Sequence, residues 1–237
     1  MISVIVCTKR PEFIENIIRN YKRQSVPYKE LILLLHSKEF NLSKVQKTMK
    51  DLQIQAQCFQ LDKNQSLGEC LNYGNRIATY DLVAKLDDDD YYEDHFLKEA
   101  VQTITSKQCA VVGKGSFQIY LQAFGELRLY HPHHQNRWVT KNVEESFSSK
   151  HFLCGATMVW NRCLVGTNPF PDVNQGEDSG LQRRCFERGL PMYSTSEQHY
   201  IHIRYNDPAH HTSDMKDTLL RSRSTFIRKI NHIHELK

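Results

Sequence analysis

The chain has 237 residues, 40% hydrophobic and 24% charged, with 31 Lys and Arg against 27 Asp and Glu, a net charge of +4. This excludes a disordered chain and a pair of full-sized domains, and the small basic excess does not imply nucleic acid. Seven cysteines, none at C-x-x-C spacing, exclude a zinc ribbon and speak against a disulfide framework; they read as reduced, mostly buried thiols of a cytoplasmic protein.

The segment ISVIVCT at residues 2–8 is a β-branched apolar run, the mark of a buried strand. It is too short for a signal peptide, and no other stretch reaches the ~20 apolar residues of a membrane span. Pro11 opens a helical pattern in which Phe13, Ile14, Ile17, Ile18 and Tyr21 share a face. A second buried strand covers residues 31–35, a helix residues 42–53, and a third strand residues 54–61. Ser66 begins a helix carrying Leu67, Leu71 and Ile77, and residues 81–86 form a fourth strand that runs straight into Asp87, Asp88, Asp89 and Asp90. Phe96, Ala100, Val101 and Ile104 mark the next helix. Such alternation predicts an α/β fold with a mostly parallel sheet and helices on both faces.

The second half is less regular. Strands are expected at residues 109–112, 117–121 and 127–130, a polar loop at 131–147, and a mixed strand at 152–160. A helix over residues 179–188 stops at Gly189 and Pro191, and a last strand spans 200–204. Beyond Lys216, the residues Leu219, Leu220, Phe226, Ile227, Ile230 and Ile233 form one face of a C-terminal amphipathic helix, with Arg221, Arg223, Arg228, Lys229 and Lys237 around it. That helix would pack on the domain or a second copy, or lie on an anionic membrane.

In a parallel sheet, ligands bind beyond the carboxyl ends of the strands, where the acid run stands. Adjacent carboxylates repel, so solvation or a divalent cation must offset them. In extended chain Asp87 and Asp89 point the same way, and a hard cation takes such carboxylates together with phosphate oxygens. The glycine and spaced Glu of an EF-hand calcium loop are missing.

The opening segment ISVIVCTKRPEF at residues 2–13 resembles the first strand and turn of family 2 glycosyltransferases with the GT-A fold. Asn64 to Asn72 resembles the helix start before their fourth strand, and residues 83–92 their metal-binding D-x-D segment. The segment GATMVW at residues 155–160 resembles their acceptor-facing strand, and GEDS at 176–179 the motif carrying the catalytic base. The resemblance spans most of residues 2–180, in the family's order.

It implies a single GT-A domain with a Rossmann-like sheet: residues 1–106 for the nucleotide sugar, 107–213 for the acceptor, and 214–237 as the C-terminal helix. It assigns Thr8, Lys9, Arg10, His36, Asn64, Asp87 and Asp88 to the nucleotide sugar. Asp89 and Asp87, with the late His202, would hold Mn2+ or Mg2+, although four adjacent acids leave the D-x-D register open by one. Asp178, with Glu177 beside it, would be the general base, a role helped by the first turn of a helix. The implied reaction is inverting transfer of a sugar from a UDP-sugar to the hydroxyl of a saccharide or lipid-linked acceptor, in polysaccharide or glycoconjugate synthesis. The implied place is cytoplasmic, with peripheral membrane contact or a homodimer through the C-terminal helix.

Some positions depart from the family pattern. His36 and Ser37 stand where many members carry acids, and Cys70-Leu71-Asn72 replaces an Ala-Arg-Asn, which leaves Arg76 as a phosphate contact or a solvent-facing residue. The alternative is a non-catalytic module that binds a nucleotide sugar or Ca2+ on the same fold. A Rossmann oxidoreductase is excluded, since Thr8 to Pro11 stand where its G-x-G-x-x-G would be.

Overall fold

The computed structural model describes residues 1–139, 141, 145–207, 215–230 and 233–236. The first half alternates as expected: β1 (Ile2–Thr8), α1 (Ile14–Arg23), β2 (Lys29–Leu35), α2 (Leu42–Asp51), β3 (Ala56–Gln60), α3 (Leu67–Ile77), β4 (Leu82–Lys85), β5 (Tyr91–Tyr92) and α4 (Phe96–Ser106). The second half holds β6 (Val111–Gly113), β7 (Phe117–Leu121), β8 (Glu126–Tyr130), β9 (Arg137–Val139), β10 (Val159–Asn161), α5 (Arg162–Val165), α6 (Glu177–Glu187), β11 (Met192–Ser194), β12 (Tyr200–Arg204), α7 (Asp217–Ser222) and β13 (Ser224–Lys229).

Among the described residues the strands form an eight-stranded sheet, ordered β3-β2-β1-β4-β10-β6-β11-β9, and a five-stranded sheet, ordered β13-β8-β7-β12-β5. β1 pairs in parallel with both β2 and β4, and β2 with β3, whereas β10 runs antiparallel between β4 and β6. The chain therefore winds outward from β1 to β3 and then returns to β1's other side. That reversal opens a crevice at the carboxyl ends of β1 and β4.

Alternation along the strands feeds two cores. Val4, Val6, Leu31, Leu33 and Leu35 pack with Ile17, Ile18, Val45, Met49, Ala100 and Ile104 from α1, α2 and α4. Ile5, Ile32 and Leu34 pack with Leu71 of α3 and with Leu181 and Phe186 of α6. Burial on both faces is why β1 and β2 read as mostly apolar runs without polar alternation. A third cluster, with Tyr91, Tyr120, Leu127, Ile201, Ile203 and Ile230, lies on the smaller sheet. No described helix is long and apolar enough to cross a membrane.

Three expectations are corrected. The 131–147 loop contains β9, which pairs antiparallel with β11 and closes the sheet's edge. Residues 155–157 form a turn of 3-10 helix rather than a strand, held by Thr157, whose hydroxyl donates to Cys154 O at 2.7 Å and accepts from Lys114 N at 2.9 Å. The C-terminal amphipathic helix assigned to 214–237 is not formed by the described residues: α7 ends at Ser222, and β13 pairs antiparallel with β8. Thr225, Phe226 and Ile227 are β-branched or aromatic, and β8 offers them an unpaired edge, so tertiary pairing overrides the helical spacing. Membrane or dimer contact through a terminal helix thereby loses its element.

Candidate active site

β1 delivers Thr8 to the crevice, and β4 delivers the acid run. Asp88 turns inward, where the Thr8 hydroxyl donates to Oδ2 and the Arg10 guanidinium binds both carboxylate oxygens, with Nε at 3.1 Å from Oδ2. Arg10 also reaches Asp89 Oδ2 at 2.8 Å. Its guanidinium lies 4.8 Å over the Phe13 ring, which meets Tyr205 edge-on at 5.9 Å. Asp90 is fully buried: Tyr200 Oη and the Ile203 N–H donate to it, and His202 Nδ1 lies 3.0 Å from Oδ1. Burial works against protonation of His202, but Asp90 outweighs it and raises the imidazole above its usual range.

Backbone clamps fix the run. Asn16 Nδ2 donates to Asp88 O at 2.7 Å and Asp90 O at 3.0 Å, and Asn20 Nδ2 to Asp90 O at 2.8 Å, so α1 holds the run by its carbonyls. Tyr205 Oη donates to Asp89 O at 3.1 Å, and the Asp87 N–H donates to Tyr92 Oη at 2.8 Å.

Asp87 faces the other wall. Lys85 Nζ, on a side chain only 9% exposed, lies 2.9 Å from Asp87 Oδ1 and 3.6 Å from Glu177 Oε1 of α6. Burial opposes the Lys85 charge, but Asp87, Glu177 and Asp178 outweigh it and hold the ammonium protonated. Burial pushes the Asp87 carboxyl up to about 6, with Asp90 and Asp89 adding to the effect against the pull of Lys85. Glu177, 5% exposed, is raised by burial as well.

Gly176, at φ +81°, takes the left-handed conformation that opens α6, so the helix starts at Glu177, two residues before the expected 179. Asp178 thus stands in the first turn, its Oδ1 accepting from Ser179 N at 2.6 Å. A Cβ at Gly155 would lie 1.8 Å from Asp178 Oδ2, so Asp178 is seated directly on the glycine of the 155–157 turn.

The structure therefore gathers Thr8, Arg10, Asp87, Asp88, Asp89, Glu177, Asp178 and His202 at one crevice. Lys9 is exposed on the loop after β1. His36 follows β2, its N–H donating to Thr8 O at 2.8 Å. Asn64 lies apart, on an exposed turn where its N–H meets Asp62 Oδ1 at 2.9 Å. Arg76 bonds Asn168 instead of the crevice, and Arg204 turns to Asp217 at 2.9 Å. Sequence reasoning missed Lys85, Tyr200, Asn16 and Asn20. Lys85 carried a signal, a charged residue at the end of an otherwise apolar strand; the Asn pair carried none.

The sequence matches the model of glycosyl transferase family 2 over residues 3–165. The chain belongs to glycosyl transferase family 2. Its doubly wound sheet is the GT-A fold. The crystal structure of S. aureus TarS 1-349 is similar, with TM-score 0.60 and 16% identity over 85% of this chain and 60% of that one. The same TarS segment in complex with UDP-GlcNAc gives TM-score 0.61 and 15% identity over 90% of this chain and 61% of that one. Mannosyltransferase PcManGT from Pyrobaculum calidifontis, in complex with GDP-Man and Mn2+, gives 0.57 and 16% over 87% of this chain and 57% of that one. The family 2 chain thus spans about three fifths of the length of these structures. No curated protein matches it in sequence.

Proposed function

We propose that this family 2 protein transfers a sugar, with inversion, from a nucleoside diphosphate sugar to an acceptor hydroxyl. The observation that carries the reading is Lys85, one ammonium reaching Asp87 of the acid run and Glu177 of α6 at 2.9 and 3.6 Å. It ties the donor wall to the wall bearing Asp178, so donor and acceptor would meet in one crevice.

Residues 1–106 would cradle the donor and 107–213 the acceptor. The loops at Thr8, Lys9 and Arg10 and at His36, joined by the His36 N–H to Thr8 O bond, would take the nucleoside, with Asp87 and Asp88 toward the ribose; Asn64, on its separate turn, would contribute only at the rim. A UDP-sugar is the donor favoured by family resemblance and by the similar fold of a TarS structure holding UDP-GlcNAc. A structural neighbour that holds GDP-Man makes GDP-sugars the competing donor.

Carboxylate chemistry suits a hard divalent ion, which would have to draw its ligands together, since Asp87, Asp89 and His202 are not gathered within 4.8 Å of one another. Asp87 and Asp89 offer carboxylate oxygens at the mouth of the crevice, His202 stands behind them on Asp90, and such oxygens suit Mn2+ or Mg2+. When bound, the ion would neutralise charge on the departing nucleoside diphosphate. Arg10, which occupies Asp88 and Asp89, is placed to shift one arm toward a phosphate.

Asp178 would take the acceptor's proton as its oxygen attacks the anomeric carbon. The bond from that carbon to the diphosphate breaks, and its electron pair leaves on the phosphate oxygen. Asp178→Asn should lower turnover by about 100- to 10,000-fold while donor affinity stays close to normal. The measurement is release of nucleoside diphosphate from a panel of UDP- and GDP-sugars with Mn2+. Full turnover by the variant would refute the assignment of the base.

A further inference from the structure

Beside the crevice, outside the acid run, three side chains from three elements converge. Cys7 is the penultimate residue of β1, His36 follows β2, and Cys70 lies in α3. Two sulfurs and one ring nitrogen, one ligand atom from each, all lie within 4.8 Å of one another. Both cysteines are free, Cys70 fully buried and Cys7 half-buried. Nε2 of His36 is a buried side-chain atom with no hydrogen-bond partner, the one such atom among the described residues. A buried polar atom left without a partner calls for an occupant.

Two thiols and an imidazole are the wrong donors for Mn2+ or Mg2+ and the right ones for zinc. Zinc lies about 2.3 Å from sulfur and 2.0–2.1 Å from nitrogen, which sets tetrahedral ligand atoms roughly 3.5–3.8 Å apart. With every separation within 4.8 Å, the cluster needs a contraction of no more than about 1 Å to meet that spacing. Three protein ligands leave the fourth position to water, and the two thiols enter as thiolates, releasing their protons.

We propose that Cys7, His36 and Cys70 form a soft-metal site for Zn2+, separate from the carboxylate site. The ion would fasten the ends of β1 and β2 to α3, next to Thr8, whose carbonyl already accepts from the His36 N–H at 2.8 Å. This goes beyond the glycosyltransferase reading, because metal binding is measured with no donor present and fails or succeeds independently of turnover.

The test uses the full chain, stripped by chelation and titrated with Zn2+ and, in parallel, Co2+, in excess Mg2+. One Zn2+ per chain is expected, with a thiolate-to-cobalt charge-transfer band in the near ultraviolet for the Co2+ form. Cys7→Ala and His36→Ala should each weaken zinc binding by at least the roughly 10–100-fold that outer-shell changes cost, and Cys7→Ala should also diminish the band. Cys70→Ala should do the same; if that core variant does not fold, the other two decide. Asp89→Asn should leave zinc affinity unchanged. Absence of the thiolate band, or zinc affinity unchanged in both Cys7→Ala and His36→Ala, overturns the proposal. So does binding that Asp89→Asn abolishes, which would assign the ion to the acid run.

Discussion

Asp87 shows how one carboxylate carries both a cost and a use. Its folded pKa is raised to about 6, whereas an unfolded Asp titrates near 3.9. Between those values the folded chain holds a proton that the unfolded chain releases, so Asp87's contribution to stability falls as pH rises through that window. Above about 6 the carboxylate is charged in the folded state, where a cation can compete with Lys85 for it. We expect the apparent Mn2+ affinity to decline as pH drops through 6, rather than near 4 as for an ordinary Asp. Calorimetric titration with Mn2+ at several pH values checks this; affinity unchanged down to pH 5 contradicts it. Gly155 is the second sensitive residue. In Gly155→Ala the new methyl would lie 1.8 Å from Asp178 Oδ2, so Asp178 must leave its seat. The expected result is a fall in kcat of about 100-fold, within the range of a lost general base, with donor KM little changed because the acid run is untouched. Steady-state kinetics decides, and unaltered kcat would dissociate the glycine from the base.

Among the elements whose state the sequence misread, β13 is the one that replaces a helix with a strand. Its anchor is Glu126 of β8, 4% exposed, which Arg221 engages at 2.9 and 3.0 Å, Arg128 at 2.8 Å and Lys229 at 3.4 Å. Arg221 first, aided by Arg128 and Lys229, holds the Glu126 carboxyl down to about 2. A depressed folded pKa gives stability that is present above about 4.3, the unfolded value, and lost as pH falls through about 2. Glu126→Gln should therefore destabilise the chain by about 1 kcal/mol near neutral pH, a modest figure because Arg221 and Lys229 are largely solvent-exposed. The difference from wild type should vanish in strong acid. Thermal melts of both proteins from pH 7 to pH 2 test the sign; a gap that widens in acid would contradict it.

For the whole molecule, the acid run is where the two sheets meet. β4 of the large sheet leads into it, while Tyr200, His202 and Ile203 of β12 in the small sheet grip Asp90. A ligand bound there contacts elements from both halves and should stabilise the chain globally. At a concentration 100 times its Kd, a nucleotide sugar that binds only the folded state adds about 2.7 kcal/mol. We expect a rise in Tm with UDP-sugars and Mn2+ together, and little rise when a chelator removes the metal. A panel that shifts equally with and without metal would remove the ion from donor binding.

The parallel half of the fold was legible because its strands are buried on both faces. Residues 31–35 and the run Ile2–Val6 have no polar alternation, and the intervening helices repeat at their own period. The acid run was legible because it stands directly after a buried strand, and the Glu177-Asp178 pair through the resemblance of GEDS to the family's base motif. The pairings across the crevice were not. Lys85 to Glu177 spans 92 residues of chain (177 − 85), and only folding makes that separation 3.6 Å. The same holds for Asn16 and Asn20, whose role is to bind carbonyls that follow β4. β13 was hidden for a different reason: an isolated segment shows its own periodicity, not the open edge of β8 waiting for it.

By itself, then, the sequence determined the α/β alternation, the family and the residue types gathered for chemistry, because burial period and local motifs are written in consecutive residues. The tertiary structure alone decided how the acid run divides its labour, with Asp88 taken by Thr8 and Arg10, Asp90 by Tyr200 and His202, and Asp87 by Lys85. Four adjacent carboxylates are alike in sequence; they differ only through partners that other strands bring to them, and those partners set which carboxylate is buried, paired or open to a ligand.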